Sequence, residues 1–305
     1  MHWSIYQKTR QSVEEICYDA AHIAEVTDAI KENFPAYFKI FVKNKTPRNF
    51  AKNINAAIED FEKDREKYKT IFAPEAFDEY EDDPNYFKSE ILRNKCPVIR
   101  KTLNSPESEL KQYKISFKLA DANELLGVIR NICAFGQEYY ERYDSATYED
   151  AKTHLDLEME YLDKDECCLS GVIGISIKSR ILYKLYPAIF PNASQDSVWS
   201  LYFLSGRESF GCEYDSEFLM IDDDNTDNSV IRQNFSYMYQ LFDYYAFEIY
   251  KLLEHEATKV NLLLDNSYRY VAVDAFLSSV AAVHKSEIDF YKNQIRDGGS
   301  EHDQA

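Results

Sequence analysis

The chain has 305 residues, 45% of them hydrophobic, which is enough to fill a core of its own and excludes an intrinsically disordered chain. Its 53 acidic residues against 35 Lys and Arg leave a formal charge of −18, which disfavours general binding to DNA or RNA. No run approaches the ~20 apolar residues of a membrane span and the first 20 residues hold no apolar stretch of signal-peptide length, so a cytoplasmic protein is expected.

The composition carries two further hints. Aromatics make up 15% of the chain, with 24 Tyr and 19 Phe. Tyrosine has an apolar body and a polar tip, so the excess suits wet protein–protein interfaces as well as interiors. The six cysteines, Cys17, Cys96, Cys133, Cys167, Cys168 and Cys212, form no CxxC pair, which predicts reduced thiols and neither a zinc site nor a disulfide framework. For the adjacent pair Cys167 and Cys168, core packing is the simplest reading and a redox role the alternative.

In chain order, Val13, Ile16, Ala20, Ile23, Val26 and Ile30 recur at helical spacing and predict a helix over 11–33, stopped by Pro35. A second helix is predicted over 47–70, with Pro47 in its first turn and Phe50, Ile54, Ile58 and Phe61 on one side. Residues 71–90 mix acids, aromatics and two prolines and read as a surface loop. The basic segment 91–118 ends in an alternation of Tyr113, Ile115, Phe117 and Leu119 that predicts β structure or an extended arm. Helix resumes at 121 with Asp121 as N-cap and passes into a very acidic helix at about 146–166.

Ile173, Ile177, Ile181, Leu182 and Leu185 predict another helix ending at Pro187 and Pro191, and a further one spans Ser194 to Leu204. The segment 217–221 is the strand candidate of this half. Phe235, Met238, Leu241, Phe242, Tyr245, Ile249, Leu252 and Leu253 form one broad helical stripe, a last helix covers 268–294, and the tail 297–305 is expected to fray. The expected class is α+β, predominantly helical with a small β component, in two lobes. An N-terminal lobe covers 1–120, an acidic connector 121–166, and a helical C-terminal lobe 167–296.

Catalytic signatures are missing. There is no phosphate-binding loop and no GxSxG elbow, and "GVIGIS" at 171–176 lacks the third glycine of a dinucleotide fingerprint. His255 and Glu256 lack the second histidine of a HExxH zinc site, because Lys259 stands there. The aspartates from Asp222 fail a calcium loop, which needs Gly at the sixth position and Glu at the twelfth, where Asp227 and Gln233 occur. Glu109 and Lys111 imitate half of a metal-dependent nuclease site, a match of only two residues. No catalytic residue, cofactor or metal is therefore expected.

What remains is the placement of the acids. The windows 75–90, 141–166 and 208–227 hold 25 of the 53, each interspersed with aromatics. Carboxylates can pair with a basic partner while Tyr and Phe anchor the contact, although a merely solvated face reads the same way. The candidate partner-binding residues are Tyr80, Glu81, Asp82 and Asp83 in the first window, and Tyr214, Asp215, Asp222, Asp223 and Asp224 in the third.

The block "GVIGISIKSRILYKLYPAIFPNASQDSVWSLYFLSGRESFGCEYDSEFLMID", residues 171–222, resembles the Gabija anti-defence family of bacteriophage proteins, which shut down a bacterial nuclease–helicase complex. That resemblance implies a non-enzymatic inhibitor that self-associates and wraps the nuclease–helicase assembly, so that DNA is neither bound nor cut. Two other classes stay open. One is a divergent metal-dependent nuclease or other defence enzyme using Glu109, Lys111 and some of Asp215, Glu217 and Asp222. The other is an acidic bacterial regulatory or structural subunit with an unknown basic partner.

Overall fold

A computed structural model describes residues 16–107, 110–212, 216–222, 230–234 and 236–293. The chain is predominantly helical, with 74% of residues in helix and 2% in strand. Among the described residues, and apart from the three-residue turn Pro84–Tyr86, the α-helices in order are α1 (Ala20–Phe41), α2 (Arg48–Ile71), α3 (Ala76–Asp82), α4 (Pro97–Asn104), α5 (Lys111–Leu119), α6 (Ala122–Arg142), α7 (Ser145–Glu149), α8 (Ile175–Leu185) and α9 (Gln195–Leu204), then α10 (Tyr239–Lys259), α11 (Arg269–Val283) and α12 (Lys285–Asn293). Between α9 and α10, β1 (Leu219–Asp222) pairs antiparallel with β2 (Val230–Gln233), Leu219 opposite Gln233 and Asp222 opposite Val230. One pair of four-residue strands makes no β layer, so the helical part of the expected class stands and an α+β description does not follow from it.

Several expected boundaries move, each for a physical reason. Helix α1 runs through Pro35 and ends at Phe41. A mid-helix proline costs about 3 kcal/mol, but stopping there would leave the buried rings of Phe38 and Phe41 without their places in the core. The presumed loop 71–90 is mostly helical: α3 buries Phe77 and Tyr80, and a π-helical segment, Phe87–Lys95, buries Phe87, Ile91 and Leu92. The presumed strand at 111–119 is helix α5. Ile115 and Leu119 of its alternating set are exposed, whereas Phe117 is buried and stacks with Tyr113 four residues earlier, a helical interval.

The acidic helix expected at 146–166 is replaced by the single turn of α7 and three 3₁₀ turns, His154–Leu157, Glu160–Asp163 and Asp165–Cys167. Asp156 drives this by accepting from the backbone N–H groups of Lys152 and Thr153 at 2.9 and 2.8 Å, a local alternative to helix. The expected helix at 268–294 is broken at His284 into α11 and α12. The N-cap at Asp121 is as expected, with its carboxylate accepting from Asn123 and Glu124.

The chain divides into two compact units that do not follow the expected boundaries at 120 and 166. The first comprises residues 1–50, 195–237 and 275–305, the second 51–194 and 238–274. In the first unit the core is aromatic. Phe34 packs on Phe276 with ring centroids 5.0 Å apart, Phe38 meets Phe50 edge-on at 5.1 Å, and Trp199 lies parallel to Tyr291 at 5.8 Å. Arg207, just past the left-handed Gly206 that closes α9, forks onto Glu287 of α12 with two bonds of 2.6 and 2.9 Å.

The second unit is built around α10, whose N-terminus is capped from a distance. Asp163 accepts from the backbone N–H groups of Tyr239 and Gln240 at 2.7 and 2.9 Å. Arg269 is fully buried; it donates to Tyr143, the Ala188 carbonyl and Glu149, and its guanidinium lies over the Tyr148 ring at 4.8 Å and the Tyr250 ring at 5.1 Å. Beside it, Asp243 is also fully buried and neither of its oxygens closes a hydrogen bond of normal geometry. Burial pushes its pKa well above the ordinary range, and the Tyr270 hydroxyl and Arg269 offset this only partly.

Asp243 therefore has a definite effect on the pH profile of stability. Between the ordinary aspartate value near 4 and its raised folded value, the folded state holds a proton that the unfolded state has lost. Stability attributable to this group then falls as pH rises, by up to about 1.4 kcal/mol per pH unit. We expect Asp243→Asn to flatten the decline in melting temperature between pH 5 and 8; parallel profiles for the two proteins would show that Asp243 does not titrate in that range.

Candidate functional site

The first acidic window has a clear division of labour. Along α3 and the turn that follows, Phe77, Tyr80 and Phe87 pack together, with Tyr80 4.8 Å from Phe87 and 5.8 Å from Phe77. The Tyr80 hydroxyl donates to the Ile71 carbonyl at 3.1 Å, satisfying an acceptor at the C-terminus of α2. Every carboxylate of the window, Glu75, Asp78, Glu79, Glu81, Asp82, Asp83 and Glu90, is exposed. Tyr80 is thus buried in the core, because helical spacing turns it to the inner side of α3 while Glu81 and Asp82 face out.

Those surface acids are only lightly tied down. Glu81 pairs with Arg130 of α6, Asp83 accepts from the Tyr86 N–H at 2.9 Å, and Glu90 accepts from Asn94 at 3.0 Å. In the third window, Asp222 ends β1, while Tyr214, Asp215, Asp223 and Asp224 lie outside the described residues. The aromatics of the other windows also turn inward to differing degrees. Tyr148 and Phe218 are buried, and Tyr143, Tyr161 and Phe210 are half-buried.

The residues of the nuclease-like pattern are described only in part. Glu109 lies outside the described residues, Lys111 opens a helix instead of sitting on a strand, and Glu217 is fully buried. Of the adjacent cysteines, Cys167 is buried with its thiol pushed up to about 12, which keeps it protonated and inert as a nucleophile at neutral pH.

Sequence reasoning missed a different group, in the first compact unit. Cys17 ends a helical stretch three residues before α1. Asp19 caps that helix by accepting from the Ala21 N–H at 2.7 Å, which sets His22 in the first turn. Glu217 occupies the turn before β1, held by Leu219 N–H to Ser216 O at 3.0 Å and by the Asn234 side chain to its own carbonyl at 3.1 Å. The three side chains meet in the interior with 0%, 5% and 0% of their surfaces exposed.

A single carboxylate organises the cluster. Glu217 Oε2 contacts His22 Nε2 and lies 3.6 Å from Cys17 Sγ, while Oε1 accepts from the Tyr237 hydroxyl. Burial by itself lowers the His22 pKa, but the hydrogen bond and negative charge of Glu217 outweigh it and the net direction is upward. The Phe210 backbone adds to this, although Nδ1 closes no hydrogen bond of normal geometry. No sequence signal pointed here, since Glu217 lies 195 residues from His22 and a histidine five residues after a cysteine fits no common ligand spacing.

No family model, curated protein or solved structure matches the chain.

The inward turn of the aromatics gives a direct test. Tyr80→Ala should lower unfolding free energy by about 3–5 kcal/mol, the cost of removing a buried ring, whereas Asp82→Lys should change it by no more than about 0.5 kcal/mol. Urea denaturation followed by circular dichroism distinguishes the two. Equal, small effects would return Tyr80 to the surface.

Proposed function

We propose that this chain is a non-enzymatic inhibitor that docks through exposed carboxylates on a basic, nucleic-acid-handling protein assembly. The observation that supports it is the separation within residues 75–90, where every carboxylate faces solvent and Phe77, Tyr80 and Phe87 face the core. A surface of this kind attracts a positively charged patch and repels DNA, so it can compete for a site that DNA would otherwise occupy. The docking is electrostatic more than aromatic, because three of the window's four rings are used inside and only Tyr86 is exposed.

The resemblance of residues 171–222 to the Gabija anti-defence family names the partner in this reading. The chain is then phage-encoded, acts in the bacterial cytoplasm, self-associates, and wraps the Gabija nuclease–helicase complex so that DNA is not bound or cut. The two compact units serve as two lobes, with the β1–β2 pair a minor element of one. Among the described residues no helix is long and apolar enough to cross a membrane.

The test is size-exclusion chromatography with light scattering on the protein alone and mixed with the purified Gabija complex, followed by a DNA-cleavage assay. A larger co-eluting species with cleavage lost is the expected result. A triple reversal, Glu79, Asp82 and Asp83 each to Lys, should weaken binding by about tenfold or more and reduce its sensitivity to salt. No complex and no inhibition would reject the partner, and unchanged affinity in the triple variant would remove this face from the interface.

A further inference from the structure

We infer that Cys17, His22 and Glu217 form a buried zinc(II) site that ties the N-terminus of α1 to the turn before β1. The donor atoms Sγ, Nε2 and a carboxylate oxygen all lie within 4.8 Å of one another. Zinc bonds of about 2.0–2.3 Å in a tetrahedral arrangement place neighbouring donors roughly 3.3–3.8 Å apart, and the Sγ to Oε2 separation of 3.6 Å already falls there. The Nε2 to Oε2 contact is the one that must open slightly to admit the ion.

The chemistry of the donors selects the metal. A thiolate with an imidazole suits zinc or another borderline transition ion and disfavours magnesium and calcium, which take oxygen ligands. One thiolate and one carboxylate cancel the charge of a divalent ion, so the loaded site is neutral in a region where uncompensated charge would be costly. Three protein donors leave a fourth tetrahedral position for water.

The surroundings are those of a built site. The Tyr237 hydroxyl holds the second oxygen of Glu217, and the Asn234 side chain holds its backbone carbonyl, so the ligand is oriented from two sides. His22 is anchored by the Asp19 cap. Its Nδ1 is buried and closes no hydrogen bond. Coordination through Nε2 puts the ring proton on Nδ1, on a ring that packs edge-on against Phe210 at 5.9 Å.

A plain His–Glu contact with a cysteine packed beside it is the competing arrangement, and it predicts no metal. This inference is independent of the docking proposal, because the site is internal and its test needs no partner. The full-length chain, produced in zinc-supplemented medium and passed through gel filtration, should carry about one zinc per chain by elemental analysis. A strong chelator should remove it and lower the melting temperature by about 5 °C or more. Zinc X-ray absorption on the wild-type protein should show one sulfur among the nearest neighbours with nitrogen or oxygen for the rest.

Cobalt(II) substitution should give a thiolate-to-metal charge-transfer band that disappears in Cys17→Ser. Zinc at background level, or a nearest-neighbour set with no sulfur or with more than one, would overturn the assignment. A cobalt band that survives in Cys17→Ser would overturn it as well, by placing the metal on another cysteine. Should Cys17→Ser not fold, the absorption spectrum of the wild type still decides.

Discussion

Five buried tyrosine hydroxyls of the second compact unit donate to backbone carbonyls, and these bonds organise much of it. Tyr80 donates to Ile71 O, Tyr139 to Leu157 O, Tyr148 to Ile189 O, Tyr239 to Pro191 O and Tyr244 to Lys152 O. Each acceptor lies at a helix end, in a turn or in irregular chain, where backbone carbonyls lack an intrahelical partner. One side chain thus fills core volume and satisfies a stray carbonyl at the same time. The long irregular stretch between α7 and α8 is held in place by such bonds, together with Asp163 at the N-terminus of α10.

The same economy governs the buried charges. Arg269 uses its two terminal nitrogens on Tyr143, Ala188 O and Glu149 within an aromatic cage, and Lys184 reaches Asp64 at 2.6 Å while sitting 4.3 Å above the Phe61 ring. Removing one partner from such a set leaves an uncompensated charge, which makes these positions sensitive out of proportion to their number. Asp243 is the exception: it closes no hydrogen bond of normal geometry, and burial pushes its pKa well above the ordinary range.

With Phe77, Tyr80 and Phe87 committed to the interior, the outer face of residues 75–90 carries all seven carboxylates, with Tyr86 the one exposed ring. This links the fold to the proposed function, since long-range attraction to a basic partner requires charge on the surface and does not require the aromatics to be there. The cluster of Cys17, His22 and Glu217 answers a different need. It joins segments far apart in sequence through one carboxylate, in a unit whose core otherwise packs rings and aliphatic side chains.

The sequence by itself determined the helical class, the N-cap at Asp121 and the approximate spans of α2, α6, α8 and α9. These follow from local periodicity and capping, which short-range chemistry decides. It also determined the acidic balance, because net charge is additive. Tertiary structure decided which way the rings face, since the alternation at 113–119 and the aromatic–acid mixture at 75–90 each fit a surface or a core until packing selects one. It carried α1 through Pro35, because the burial of Phe38 and Phe41 lies outside the local signal. It alone brought Glu217 to His22 across 195 residues, a meeting that depends on the whole unit folding and leaves no trace in the spacing of either residue.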